Sequence, residues 1–363
     1  MAVLSIRITK GSTPESIYRS TLKKSKGGVR FLSKEFSSIQ IMIEWLKKEP
    51  RTVGTTSIHL KRQINRGKWS IRHRDIHWQK RIGSGAYGQV FRCKLYPSKL
   101  IVAAKRLSGS TSQDELVEMM KEARVMQLYD HLNIVKFYGY AVDKPPYVLV
   151  MEFCNGGAVE DRLRRQQEEP ISCKTRALWL TQSAAGLEYL HKKNCIHRDI
   201  ATRNCLIHDG TIKIADFGMC RATSVYKVNL AKPQNVRWLA PEVWRTGETN
   251  FRTDVYAFAV MMWEMFIIPY DTPYRSWKAI VVKRKVMDGF RMDPPPMMPK
   301  SIQKILDLCW AHVPSQRPTM GETRKMLAES DMEGVSDNEQ GINRNGKEED
   351  GESKSMGQGI GQL

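Results

Sequence analysis

Residues 197–204 read His-Arg-Asp-Ile-Ala-Thr-Arg-Asn. Asp199 supplies a carboxylate able to orient a hydroxyl or take its proton, and Asn204, five residues on, supplies a hard oxygen for a cation. That pairing suits phosphoryl transfer, where one side chain orients the nucleophile and another helps hold a divalent metal. Alone it reads equally well as a solvated turn, so the remaining parts must appear elsewhere and in order. Seventeen residues after Asp199 comes Asp216-Phe217-Gly218: a carboxylate to bridge Mg²⁺ to phosphate oxygens, an aromatic anchor and a residue that lets the backbone turn.

Upstream, Ile82-Gly83-Ser84-Gly85-Ala86-Tyr87-Gly88-Gln89-Val90 forms a G-x-G-x-x-G-x-V hairpin. Its glycines let backbone approach phosphate oxygens, and Val90 can cover an adenine ring. A dinucleotide fingerprint is disfavoured, because the third glycine leads into Val90-Phe91-Arg92-Cys93 and not into a helix. Lys105 follows the apolar strand Ile101–Ala104. Glu122 lies on a helical stretch, 114–128, whose Leu116, Met119, Met120, Ala123 and Met126 share one side. A surface glutamate is the plain alternative; after those motifs Glu122 reads as the ion-pair partner that aims Lys105 at the α- and β-phosphates.

These groups need scaffolding. Residues 134–137 and 147–151 read as strands, Gly156-Gly157 ends a five-stranded small lobe, and Met151-Glu152-Phe153-Cys154 forms the joint where backbone amides can meet adenine. The spacing of Ala177, Leu180, Ala184, Leu187 and Leu190 predicts a helix over 171–193 that delivers the Asp199 loop. Short strands at Leu206-Ile207 and 212–214 flank a turn at Asp209-Gly210. The irregular stretch 219–239 contains Tyr226 and ends at Ala240-Pro241-Glu242. The apolar run 256–268 contains Glu264; it is too short and too polar to cross a bilayer and reads as a core helix. Glu242 and Arg317 suit a buried ion pair.

The flanks differ. Residues 1–60 read as a small α+β module: a strand at 3–8, a second at 29–32 after Gly27-Gly28, then a helix capped by Ser37-Ser38, with Ile39, Met42, Ile43 and Leu46 at helical spacing before Pro50. Residues 61–75 read as a basic linker in which Trp69 packs onto the following domain, and 330–363 as a disordered tail.

Of 363 residues, 41% are apolar and 26% charged, ordinary for a soluble globular chain. The seven cysteines include no CxxC pair, so neither a disulfide framework nor a zinc site is indicated. With no signal pattern at the start, cytoplasmic residence is expected. The net charge of +20 points to a solvated basic face, with contact to anionic membrane surfaces at the inner face of the plasma membrane as the associated expectation. No zinc finger, basic zipper or ribonucleoprotein motif accompanies it, so no nucleic-acid partner is expected.

Taken together, the motifs from 76 to 329 resemble a eukaryotic protein kinase domain. The resemblance implies an α+β, bilobal protein kinase fold with a five-stranded N-lobe and a mainly helical C-lobe, using ATP and Mg²⁺. Serine/threonine kinases carry lysine two residues after the catalytic aspartate; here that position is Ala201, and Arg203 follows four residues after, as in tyrosine kinases. Arg237-Trp238-Leu239 before Ala240-Pro241-Glu242 points the same way. Residues 129–135, 194–199 and 216–219 are similar to the Fer/Fes non-receptor group, as is the partial Src-homology-2 (SH2) module ahead of the kinase domain. That module resembles only the family's second half. The phosphate-gripping arginine strand is absent, so phosphotyrosine-peptide affinity is expected to be weak or lost, and no F-bar region supports curvature sensing.

The resemblance also implies roles. Asp199 would orient the hydroxyl of tyrosine in protein substrates, Arg203 would steady the phosphoryl group, Asn204 and Asp216 would hold Mg²⁺, and Lys105 with Glu122 would place ATP. The nucleotide would contact Ile82, Gly83, Ser84, Gly85, Ala86, Tyr87, Gly88, Gln89, Val90, Ala103, Lys105, Met151 as gatekeeper, Glu152, Cys154 and Leu206. Tyr226 would be the activation-loop tyrosine, its phosphate pairing with Arg198. Where the family usually reads Pro-Ile/Val-Lys-Trp, this chain has Asn235-Val236-Arg237-Trp238, so peptide preference does not carry over.

Overall fold

The computed structural model describes residues 2–8, 16–25, 27–31, 33–53, 56–58, 60, 67–85, 88–107, 113–231 and 233–330. The expected tail, apart from Ser330, lies outside them, as do Ala86 and Tyr87 of the glycine hairpin. The chain divides into two compact units, Met1–Lys68 and Trp69–Leu363.

In the first unit, β1 (Ala2–Ile8), β2 (Ser16–Ser25), β3 (Gly28–Phe31) and β4 (Lys34–Phe36) form an antiparallel sheet in sequential order. α1 (Ile39–Lys48) follows, then a hairpin of β5 (Arg51–Val53) and β6 (Thr56–Ile58). Ser38 caps α1, its Oγ accepting from Ile41 N at 3.3 Å. Met42 and Leu46 are fully buried against Leu22, Phe31 and Phe36, whereas Ile39 is exposed, so the apolar stripe is narrower than its spacing suggests. β2 and β4 were not anticipated: β2 is largely polar and β4 has only three residues, so neither carries the two-residue alternation that marks a strand.

The second unit opens within the stretch read as a linker, of which residues 61–66 lie outside the described residues. Trp69 and Ile71 bond the Tyr140 backbone, with Ile71 N to Tyr140 O at 2.9 Å and Tyr140 N to Trp69 O at 2.8 Å. The Trp69 ring lies 5.4 Å from that of Phe137. Aromatic packing and these bonds make 69–75 an edge of the domain and not a free connector. A five-stranded antiparallel sheet follows, with β7 (Ile76–Gly85), β8 (Gly88–Leu95), β9 (Leu100–Arg106), β10 (Phe137–Ala141) and β11 (Val148–Glu152) in the order β10-β11-β9-β8-β7. α2 (Gln113–Met126) packs on it, burying Met119, Ala123 and Met126.

The strand expected at 134–137 falls at Phe137–Ala141. Ile134 and Val135 are buried, but the residues around Ile134 bond the large lobe, Val135 N to Ile214 O at 2.9 Å and Ile214 N to Asn133 O at 2.9 Å, so that Ile134 bridges Ile214. Their apolar run marked burial, not membership of the sheet.

The large lobe runs β12 (Gly157–Ala158), α3 (Val159–Arg164), α4 (Cys173–Lys192), β13 (Cys205–His208), β14 (Thr211–Ile214), β15 (Val225–Lys227), α5 (Pro241–Thr246), β16 (Glu248–Asn250), α6 (Phe251–Phe266), α7 (Ala279–Met287), α8 (Lys300–Cys309) and α9 (Met320–Glu329). Every residue of α6 from Thr253 onward is buried, which identifies the apolar run as the lobe's central helix. Among the described residues no helix is long and apolar enough to cross a membrane. Arg317 is fully buried and grips Glu242 with two bonds, Nη1 to Oε1 at 2.7 Å and Nη2 to Oε2 at 2.8 Å, tying α5 to the segment before α9.

Candidate active site

α4 ends at Lys192, and Asn194, at φ 57°, turns the chain into the loop that carries Asp199. That loop hangs from α6. Asp254 accepts from His197 N at 2.7 Å and from Arg198 N at 2.8 Å. Arg198 has φ 72°, a conformation that costs a non-glycine residue of the order of 1–3 kcal/mol and persists only where neighbours enforce it. The two bonds to Asp254 are that enforcement. His197 accepts at Nδ1 from Asp199 N at 3.3 Å and donates from Nε2 to Ala215 O at 3.1 Å, which joins the loop to the Asp216 segment.

Three donors hold the Asp199 carboxylate. Arg203 Nη2 lies 2.5 Å and Asn235 Nδ2 2.7 Å from Oδ1, while Asn204 Nδ2 lies 2.8 Å from Oδ2 and also reaches the Asp199 carbonyl at 2.8 Å. The Arg203 guanidinium sits 4.2 Å above the Trp238 ring centre. Trp238 in turn donates Nε1–H to Glu264 at 2.9 Å, and Glu264 also accepts from Thr202 Oγ1 and Tyr270 Oη, each at 2.9 Å. Burial pushes the Glu264 carboxyl above its ordinary range, and these donors pull against that push.

Across the cleft, Lys105 Nζ meets both carboxylate oxygens of Glu122 at 2.9 Å. Burial raises the Glu122 carboxyl; the Lys105 ammonium opposes this, and the nearby Asp216 charge adds to it. Asp216 is exposed at φ 59°, and its Oδ1 accepts from Gly218 N at 3.3 Å. Phe217 is buried, stacked 6.2 Å from Tyr129 and edge-on to His197 at 5.5 Å.

Above the cleft, Gly85 pairs with Gly88 to close the β7–β8 hairpin, and Gly83 pairs with Val90. Ile82 is exposed and Val90 half-buried. A Cβ on Gly88, at φ 133°, would stand 2.1 Å from Arg106 O, so the approach of β8 to β9 already demands this glycine. Ser84 pairs with Gln89, whose Oε1 accepts from Arg106 at 2.7 Å. Ala103 is buried and pairs with Met151 across β9 and β11; Met151 and Leu206 pack on the apolar cluster of Val135, Cys154 and Ala215. The Glu152 carboxylate is engaged by Lys213 at 3.0 Å and by Lys136 N at 3.1 Å, so at this joint it serves the scaffold.

Tyr226 pairs with Thr249 across β15 and β16. Its ring faces two guanidinium groups, Arg198 at 4.5 Å and Arg221 at 4.9 Å. A hydrogen bond from Arg221 lowers the Tyr226 hydroxyl's pKa, and the charges of Arg221 and Arg198 add to the effect.

The residue types fit a divalent cation shared with nucleotide phosphates. Both Asn204 bonds to Asp199 use the amide nitrogen, which leaves the carboxamide oxygen as a ligand, and the exposed Asp216 carboxylate supplies the hard second oxygen. Asp254 belongs to no motif of the sequence, and the roles of Glu264, Arg221 and Asn235 are likewise unmarked by spacing. A lone carboxylate inside an apolar run, as at Glu264, was a usable signal.

Comparisons with known proteins point to one family. A family model for protein tyrosine and serine/threonine kinases matches residues 76–327. The chain is 35% identical to the tyrosine-protein kinase Fer of Homo sapiens over 263 residues, 72% of this chain and 32% of that protein. It is 32% identical to Fer-related kinase 1 of Caenorhabditis elegans over 298 residues, covering 81% and 75%. With the transforming protein Fps of Avian sarcoma virus (strain PRCII) the identity is 32% over 297 residues, covering 80% and 55%. The chain thus spans about a third of the human relative and just over half of the viral one.

Proposed function

The chain belongs to the protein tyrosine and serine/threonine kinase family, and from that premise we propose that it is a non-receptor protein tyrosine kinase, transferring the γ-phosphate of ATP to tyrosine in protein substrates. The observation that carries the tyrosine assignment is Arg203, held by Asp199 on one side and by the Trp238 ring on the other. The loop residue that supplies charge beside the base is therefore this arginine, and Ala201, where a lysine would otherwise stand, is buried and carries none.

Asp199 orients the tyrosyl hydroxyl and takes its proton as the oxygen attacks. Arg203 places a planar cation where the phosphoryl charge develops. Lys105, aimed by Glu122, binds the α- and β-phosphates, and the β7–β8 hairpin covers them. Asn204 and Asp216 would hold Mg²⁺, which when bound would neutralise charge on the phosphate oxygens. Tyr226 is the site of regulatory autophosphorylation in signalling; its support is the pair of guanidinium groups at its ring.

The same reading assigns residues 1–60 to a partial SH2-like module with little phosphotyrosine-peptide affinity, supported by the strand, cap and helix order. It places the chain in the cytoplasm, in peripheral contact with anionic membrane, on the strength of its charge of +20 and seven buried free cysteines. The test is incubation with ATP, Mg²⁺ and a Tyr/Glu copolymer, read as phosphotyrosine. Wild-type product should exceed that of Asp199→Asn by at least a hundredfold, and equal signals would overturn the proposal.

A further inference from the structure

We infer that Asn235 is a positioning residue for phosphoryl transfer, one that ties the peptide-facing segment to the catalytic carboxylate. The inference rests on the kinase reading above. Two of the donors on Asp199, Arg203 and Asn204, are local to its own loop and adjust with it. Asn235 is the third, reaching Oδ1 at 2.7 Å from 36 residues away in sequence.

Its footing is firm. The turn that follows, Val236–Trp238, is anchored by Arg237, whose Nη1 donates to Pro273 O at 2.7 Å and whose Nη2 donates to Trp277 O at 2.9 Å. Trp238 is held to Glu264 at 2.9 Å. The carboxamide thus connects a segment fixed to α6 and to the residues before α7 with the one carboxylate that must face the substrate hydroxyl. A carboxylate accepts about four hydrogen bonds. With three taken from two separate parts of the chain, the remaining direction is defined, and an incoming hydroxyl meets a base that cannot swing. Proline, usual at this position in the family, has neither an amide side chain nor a free backbone N–H, so this bond is particular to chains with a donor here.

The test is steady-state kinetics of Asn235→Ala and Asn235→Asp with a tyrosine peptide and ATP. Asn235→Ala should lower kcat about tenfold, the range for one charge-assisted hydrogen bond lost in the transition state. Asn235→Asp, of the same shape but negative beside Asp199, should fall at least as far. The KM for ATP should stay within twofold for both, since Lys105 and Glu122 lie elsewhere, and this separates positioning from general damage to the fold. A wild-type kcat in Asn235→Ala overturns the inference, as does a variant in which only the peptide KM rises, which would make Asn235 a peptide contact. A wild-type chain no more active than Asp199→Asn overturns the kinase reading and this inference with it.

Discussion

Arg203 lies 4.2 Å over the Trp238 ring while its Nη2 reaches Asp199 Oδ1 at 2.5 Å, so one guanidinium joins the 197–204 loop to the turn at Val236–Trp238. A cation over an aromatic ring that also donates to a carboxylate suits the guanidinium group. Arg203→Lys keeps the charge but loses the fork and the stack. It should lower kcat/KM for a tyrosine peptide by ten- to a hundredfold with the melting temperature nearly unchanged; comparing initial rates with differential scanning fluorimetry checks both.

Two guanidinium groups already face the Tyr226 ring, so a phosphate added there finds its counter-charges in place. Wild-type protein preincubated with ATP should therefore work several-fold faster than protein that was not, and Tyr226→Phe should show no such gain. Initial rates, with phosphopeptide mapping to confirm the site, settle the matter.

Arg317 is fully buried, and Glu242 is its bidentate partner. Glu242→Ala would leave a buried guanidinium without its counter-ion, which costs about 3–5 kcal/mol. Denaturant unfolding should show that loss, and double substitution with Arg317→Met should recover part of it.

Cys154 lies at the joint between the lobes, and burial raises its thiol to about 12. A raised thiol pKa means that thiolate forms only as the pH approaches that value, and the thiolate is the nucleophile. At pH 8 iodoacetamide should leave Cys154 unmodified in the folded protein and label it once the chain is unfolded. Peptide mass spectrometry reads the difference.

Much of this arrangement is legible in sequence because phosphate chemistry tolerates few substitutes. A glycine hairpin, a lysine closing an apolar strand and a glutamate on the next helix can be paired on paper, and the structure brings Lys105 and Glu122 to 2.9 Å. Legibility fails where burial and secondary structure part company. Ile134 and Val135 look like strand residues because they are apolar, yet Asn133 and Val135 bond Ile214 in the other lobe. It fails again where a polar side chain serves a distant backbone. Asp254 holds the amides of residues 197 and 198, and nothing in its local pattern announces that. Asn235 was visible only as a departure from the usual family pattern; its bond to Asp199 spans 36 residues, beyond what spacing can predict.

The chain passes between the lobes at the joint after β11, and beside it the small-lobe stretch before β10 is fastened to the large lobe: Val135 N donates to Ile214 O at 2.9 Å, and Glu152 N donates to Lys136 O at 2.8 Å. Two adjacent attachments along one edge define an axis, as a pair of hinges does for a door. The small lobe can swing about that edge far more readily than it can slide. Met151 and Cys154 stand at that edge, whereas β7 and β8 lie on the far side of the sheet order. On the kinase reading, the nucleotide base would sit beside those two attachments and the phosphates beneath β7 and β8.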